Sequence, residues 1–457
     1  MFAMPRAHKS RLLDMTHGNP FRLVLQFSLP LFCSNLLQQV YNLTDTALAG
    51  HLLGAGALAE IGATAALYGL IMNFAFGMNN GLALSISRHF GAGDERGMRR
   101  AVGWMVTLSV AVSLVLTLTS LLGRNALLTV LQVPAEVWDG ASAYLTLILL
   151  GIPLTMLYNM EAALLRAVGN SVTPLLFLLF SSVLNIGLDV AFMGPLGMGV
   201  RGAAAATVLA QGISAVLGIV YLVRCYPELH FSAGQLKTAT PHAVGNMLWA
   251  GLSMGLMSAI YNLGSVALQS SINALGSVYI TAQTAARRMA ELYFIPGGAL
   301  GISVATFSSQ NLGAGKRSRI MQSVKAAFAI YLVWWLFVVA YTVFLGRTTI
   351  CAITGSADEV IVSNAMLYLK ISLPLIPPMG VLVILRNMLQ GIQHTVEPLL
   401  ASALELIGKV IFAVWLVPVY GYRAVCFCEP TTWVICFFFI LAAVWHCRAD
   451  LADRTAA

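Results

Sequence analysis

Residues 324–345 read VKAAFAIYLVWWLFVVAYTVFL, with Lys325 as their sole charge. As a helix rising about 1.5 Å per residue, this run crosses the roughly 30 Å hydrocarbon core of a bilayer. The rest of the chain has the same character. Of its 457 residues 58% are hydrophobic and 10% are charged, against about 25% charged in a soluble domain. So few charges cannot clothe a water-facing surface, and the expected class is an all-α integral membrane protein whose solvent is lipid.

Eleven further runs of this kind are expected, giving twelve transmembrane helices at 23–48, 59–86, 101–122, 141–166, 172–194, 202–223, 246–270, 280–308, 324–345, 361–389, 397–418 and 424–446. Loop signals such as Gly91-Ala92-Gly93-Asp94 and Gly123-Arg124-Asn125 separate them. Residues 1–20 carry Arg6, Lys9 and Arg11 and show no small-residue cleavage site before the first apolar run, which is therefore expected to be retained. With the N-terminus inside, inner segments hold 18 of the 26 Lys and Arg, including Arg96, Arg99, Arg100, Lys237 and Arg454; outer loops hold four, Arg124, Arg201, Arg347 and Arg423. That bias places both termini in the cytoplasm of a bacterial inner membrane. The net charge of +8 is then a loop property, and no nucleic-acid partner is expected.

The halves repeat. Tyr41-Asn42-Leu43 returns as Tyr261-Asn262-Leu263, and Gly91-Ala92-Gly93 as Gly313-Ala314-Gly315. Tyr144-Leu145, Pro153 and Pro174-Leu175-Leu176 return as Tyr368-Leu369, Pro377 and Pro398-Leu399-Leu400. The matches come in the same order and at nearly one offset. Six helices per repeat keep both halves in one orientation, a plan common among transporters, in which substrate sites lie between halves. The expected division is a cytoplasmic segment 1–22, an N-lobe 23–224, a polar linker 225–245, a C-lobe 246–447 and a tail 448–457.

Charges inside membrane helices are costly and mark functional sites by default. On the first helix Asn35, Gln38, Asn42 and Asp45 recur at spacings of three and four, hence on one face. On the fifth, Asn185 and Asp189 are four apart. Asn159, Glu161, Tyr144 and Thr207 lie in the same half. Two carboxylates flanked by amides point to an intramembrane proton or cation site, against the plainer reading that each reaches a headgroup. In the second half Ser265 takes the place of Asp45, and the charges fall elsewhere: Arg287, Arg288, Glu291, Lys370, Glu405, Lys409 and Glu429. Arg287 with Glu291, and Glu405 with Lys409, have the i,i+4 spacing of self-neutralising pairs. Lys370 has no evident partner in the sequence. Pro30 interrupts the first helix and favours a bend there.

No Walker-type glycine loop, HExxH, GxSxG or CxxC occurs, which argues against a primary pump and against the common hydrolases. The seven cysteines are scattered through apolar runs, so no resident metal, disulfide framework or organic cofactor is expected, and the chain is not expected to be an enzyme.

Four segments together resemble the multidrug and toxic compound extrusion (MATE) family: Phe27-Ser28-Leu29-Pro30; Tyr41 to Thr46; Leu184 to Asp189 with Gly202 to Thr207; and Thr306 to Gly315. The resemblance implies two pseudo-symmetric six-helix bundles and export of amphipathic, often cationic small molecules against inward flow of H+ or Na+. It also implies an ion site at Asp45, Asn185, Asp189 and Thr207, able to take Na+, with Gln38, Asn42, Tyr144 and Asn159 as cavity neighbours and bending of the first helix at Pro30. The seventh helix lacks the acidic residue some members use for a C-lobe cation, leaving Glu291 as the candidate there. The protein is expected to act as a monomer in contact with membrane lipid. The competing expectation is a flippase for an anionic lipid-linked glycan, with Arg287, Arg288, Lys370 and Lys409 lining the cavity unpaired.

Overall fold

The computed structural model describes residues 13–236 and 240–451; Arg6, Lys9, Arg11, Lys237 and Arg454, used above in the charge count, lie outside them, as do most of the expected N-terminal segment 1–22 and of the tail 448–457. Among the described residues there are no strands. The longer helices are α1 (Pro20–Leu53), α2 (Ala55–Gly91), α3 (Glu95–Leu122), α4 (Trp138–Leu150), α5 (Ile152–Ala167), α6 (Val172–Met193), α7 (Val200–Cys225), α8 (Pro241–Asn273), α9 (Ser277–Gly313), α10 (Ser318–Thr354), α11 (Glu359–Ser372), α12 (Ile376–Gly391), α13 (Val396–Ile411) and α14 (Tyr422–His446). Among the described residues eleven helical stretches are long and apolar enough to cross a membrane; α4 and α5, bent by 46° at Gly151, make a twelfth if taken as one span. The bend has a local cause. Pro153 sits in the first turn of α5, where a missing N–H is harmless, but its ring prevents α4 from running straight through. In the second half Pro374 and Pro377 mark the matching break, a 3-10 turn at Leu373–Leu375 between α11 and α12.

The chain forms two compact units, one built mainly from Leu29–Gly255 and the other from Met15–Ser28 with the residues from Leu256 on. These bounds differ from the expected lobes at both first helices. The start of α1 belongs with the second unit: Met15 N donates to Gln310 Oε1 at 3.0 Å, Arg319 Nη2 to Gly18 O at 2.9 Å, and Ser303 Oγ to Val24 O at 3.3 Å. The start of α8 belongs with the first, where Gly81 on α2 lets the α8 backbone approach. A Cβ on Gly81 would lie 2.8 Å from Gly251 Cα and closer still to Ala250 O. Both α1 and α8 are far longer than one crossing of the bilayer requires; Val24 in α1 and Ala250 and Gly251 in α8 make these contacts, and the segment just before α1 adds those of Met15 and Gly18. The chain of α1 changes unit between Ser28 and Leu29, beside Pro30, through which the helix continues unbroken.

Within the first unit, Ile71, Met78, Leu82, Met105, Leu145, Met156 and Leu164 form a core shared by α2, α3, α4 and α5. Within the second, α9 is the most buried of the candidate spans and packs against α10, α11 and α12.

Candidate ion-coupling site

The first unit draws α1, α6 and α7 together around two carboxyls. Asp189 is fully buried, and the Asp45 and Asp189 carboxyls lie within hydrogen-bond reach of each other. Asn185, one turn before Asp189 on α6, is oriented by its neighbours: with its amide set by them, Nδ2 donates to Asp189 Oδ2 at 3.0 Å and its oxygen accepts from Thr207 N at 3.2 Å. The Tyr41 phenol lies beside Thr207, whose own hydroxyl donates to Ala203 O. Tyr144 and Tyr68 are close enough to the carboxyls to sense their charge. Asp45 Oδ1 and Asp189 Oδ1 are buried and accept no hydrogen bond from a donor group. Buried polar atoms are paired in the great majority of cases, and an exception calls for a missing ion, proton or water.

The other expected neighbours stand apart. Gln38 Nε2 donates to Asn42 Oδ1 at 3.2 Å on the more open face of α1, and Asn159 Nδ2 donates to Thr155 O on its own helix at 2.9 Å. Sequence reading overlooked Tyr41, Tyr68, Thr155 and Gln211. Tyr68 lies beside Gln211, which accepts from Thr155 Oγ1 at 2.6 Å. Tyr41 lies one turn from Asp45, and Gln211 one turn from Thr207, so helical spacing points to both; nothing local points to Tyr68. Glu161 is buried too, its carboxyl oxygens unpartnered against Gly218 of α7, where a Cβ would collide with them.

In the second unit the charges neutralise one another. The expected i,i+4 pairs form, Arg287–Glu291 at 3.8 Å and Lys409–Glu405 at 3.3 Å. A larger network includes them. Arg287 Nη1 meets Glu429 Oε1 at 2.9 Å, Lys409 Nζ meets the same oxygen at 3.7 Å, and Arg386 meets Glu405 at 3.2 Å. The Tyr368 hydroxyl donates to Glu429, Arg287 donates to Ser265 Oγ at 3.2 Å, and Lys409 Nζ stands 4.2 Å from the centre of the Tyr261 ring. Glu429, rather than Glu291, is the hub. Lys370 lies apart, exposed in the last turn of α11.

A family model described as MatE matches residues 30–191 and again 253–415, so each half carries one copy. "Probable multidrug resistance protein YpnP" of Bacillus subtilis is 30% identical over 307 residues, 67% of this chain and 68% of that protein. The multidrug export protein MepA of Staphylococcus haemolyticus is 23% identical, covering 83% of each. Among solved structures, an outward-facing multidrug resistance MATE transporter superposes with a TM-score of 0.86 at 22% identity over 97% of this chain and 99% of that one. A MATE crystal structure in a bent conformation gives 0.87 at 22% identity over 98% and 99%. With a family model covering both halves and a chain-long likeness in fold, this multi-pass membrane protein belongs to the MatE family of multidrug efflux transporters.

Proposed function

We propose that the chain is a secondary antiporter that exports amphipathic, cationic small molecules while H+ or Na+ moves inward, by alternating access, and that Asp45 and Asp189 hold the coupling ion. One observation carries this reading: two carboxyls in mutual contact, each with a buried oxygen that accepts no donor's hydrogen bond. Two like charges cannot share that space in a low-dielectric bundle unless a proton or a cation lies between them. Asn185 fixes Asp189, Thr207 fixes Asn185, and Tyr41 braces Thr207, so the pair is preorganised on three helices. Neutralising the pair removes charge from α1, and the proline beside the unit change in α1 gives that helix a place to bend. Ion and drug must then favour opposite states, since each shifts the equilibrium only by its differential affinity.

The same reading includes a monomer in the bacterial inner membrane with both termini in the cytoplasm, as the Lys and Arg bias suggests. The flippase reading loses its support, because Arg287 and Lys409 face Glu429, Glu405 and Glu291 rather than standing unpaired. The test is transport of a fluorescent organic cation in inverted vesicles with proton and sodium gradients imposed separately. One gradient is expected to drive accumulation. Equal transport with neither gradient would overturn the antiport reading.

A further inference from the structure

At the end of the second unit His394, Glu397 and Cys447 meet, three residues different in kind and drawn from two parts of the chain. His394 lies in the turn between α12 and α13, Glu397 in the first turn of α13, and Cys447 immediately after α14. His394 Nδ1 is 3.2 Å from Glu397 Oε1 and 3.2 Å from Cys447 Sγ, and Sγ is 4.0 Å from Oε1. Zinc bonds of about 2.0–2.3 Å to N, O and S, arranged tetrahedrally, place such atoms about 3.3–3.6 Å apart. The observed triangle needs adjustments of only a few tenths of an ångström.

The turn that carries His394 is rigid. Gln393 is left-handed at φ 72°, and His394 N donates to Leu389 O at 2.9 Å. The first unit builds the same turn, with Gly169 at φ 86° and Asn170 N donating to Leu165 O at 2.9 Å. There the repeat-equivalent positions hold Asn170 and Thr173, and Asn170 Nδ2 donates to Thr173 Oγ1 and to Tyr226 OH. Cys225, at the end of α7 as Cys447 is at the end of α14, takes no part in that cluster's hydrogen bonds. An amide–hydroxyl clasp therefore suffices for this turn, and the second unit replaces it with an imidazole, a carboxylate and a thiol, the three side chains that borderline-soft divalent cations select.

We propose that His394, Glu397 and Cys447 form a binding site for a divalent cation of the zinc class, which ties the α12–α13 turn to the end of α14. This departs from the expectation that the cysteines only fill the core. Three protein ligands leave a fourth position for water, so the site holds its metal exchangeably rather than as a closed structural knot. Only the Cys447 side is fully enclosed; Glu397 and His394 keep about a quarter of their side-chain surface open, which gives the ion a way in.

The test uses the full chain in detergent, stripped with chelator and dialysed against Zn2+, with metal per chain measured by elemental analysis. Co2+ replaces zinc for spectroscopy, where a thiolate-to-cobalt charge-transfer band reports the cysteine. About one ion per chain is expected. Cys447→Ser and Glu397→Gln should each weaken binding by more than the roughly 10- to 100-fold that loss of a mere supporting residue costs. Cys225→Ser should change nothing. Glu397→Gln preserves shape and hydrogen bonding, so it remains informative if Cys447→Ser fails to fold. Wild-type binding no stronger than that of Glu397→Gln, or a cobalt complex without a thiolate band, would overturn the proposal.

Discussion

Lys409 stands in the second half at the helical position that Asn185 holds in the first: each lies eleven positions beyond the proline that opens its helix, Pro174 or Pro398. Asn185 braces Asp189, whereas the Lys409 ammonium sits 3.3 Å from Glu405 and 3.7 Å from Glu429. Glu429 in turn lies eight positions beyond Gly421, as Thr207 lies eight beyond Gly199, and the two glycines share φ near 59° and ψ of −143°. Ser265 replaces Asp45. The duplicated scaffold thus holds an acid pair in one copy and a tethered cation with its counter-charge in the other. Among the described residues at these matched positions, only the first copy keeps buried carboxyl oxygens that accept no hydrogen bond.

This asymmetry predicts where coupling can be broken. Asp45→Asn and Asp189→Asn should each abolish gradient-driven export, by at least about tenfold as for loss of an essential charge-assisted contact, while leaving the helical content unchanged. Ser265→Ala, which removes one acceptor from an Arg287 that keeps Glu429, should export near the wild-type rate. Vesicle transport and circular dichroism on the same preparations decide it; a doubly neutralised Asp45/Asp189 protein that still responds to the gradient would move the coupling site elsewhere.

Glu429 is 2% exposed and answers both Arg287 and Lys409. Removing one member of a buried charge network strands the others and costs about 3–5 kcal/mol. Glu429→Gln should therefore lower thermal stability in detergent strongly. Lys409→Met combined with Glu429→Gln should recover part of the loss, because the doubly altered core strands one cation fewer. Equal stability of Glu429→Gln and wild type would show that water already reaches the network.

How much of this was legible beforehand follows from the physics of each element. The spans were legible because lipid demands long apolar helices, and the acid pair because charge in such a helix stands out. Asn185 and Asp189 share a face by spacing alone. Glu429 and Arg386 were not assigned as partners, since the contacts from α14 and α12 to α9 and α13 connect residues with no common period. Tyr68 was missed for the same reason, whereas Gln211, one turn from Thr207, was within reach of spacing alone. The exchange of the α1 and α8 starts between units was invisible, because nothing in an apolar sequence says which neighbour it touches.

Close helix contact makes a second stability prediction. Gly81 admits the α8 backbone, and a methyl group there would press on Ala250 and Gly251, which are backbone atoms with little freedom to yield. Gly81→Ala should cost about 1–3 kcal/mol, the usual range for overpacking. Gly62, on the same α2, faces open space. Gly62→Ala should be neutral or gain up to about 1 kcal/mol from helix propensity. Denaturation midpoints of the two variants in one detergent compare them directly.

The turn before α3 gives a pH-dependent prediction. Asp94 is its N-cap: Oδ1 accepts from Gly97 N at 2.9 Å and Oδ2 lies 3.0 Å from His89 Nδ1. The Gly97 N–H, above all, holds the Asp94 carboxyl below the usual carboxylate range. A carboxyl depressed in the folded state stabilises the fold above its unfolded value of about 3.9, and that contribution fades as pH falls through the folded value. At neutral pH Asp94→Ala should cost about 1 kcal/mol, the usual cost of losing a cap. Asp94→Asn keeps an acceptor for Gly97 but cannot titrate, so it should retain most of the cap at every pH. Hydrogen exchange of the first turn of α3, compared among the three proteins at pH 7 and near pH 3, separates these outcomes: on acidification the wild type should fall from its pH 7 protection toward that of Asp94→Asn, because a protonated carboxyl keeps the same neutral acceptor, while Asp94→Ala stays lowest at both pH values. Identical protection of all three at pH 7 would mean that packing of α3, rather than its cap, fixes the helix start.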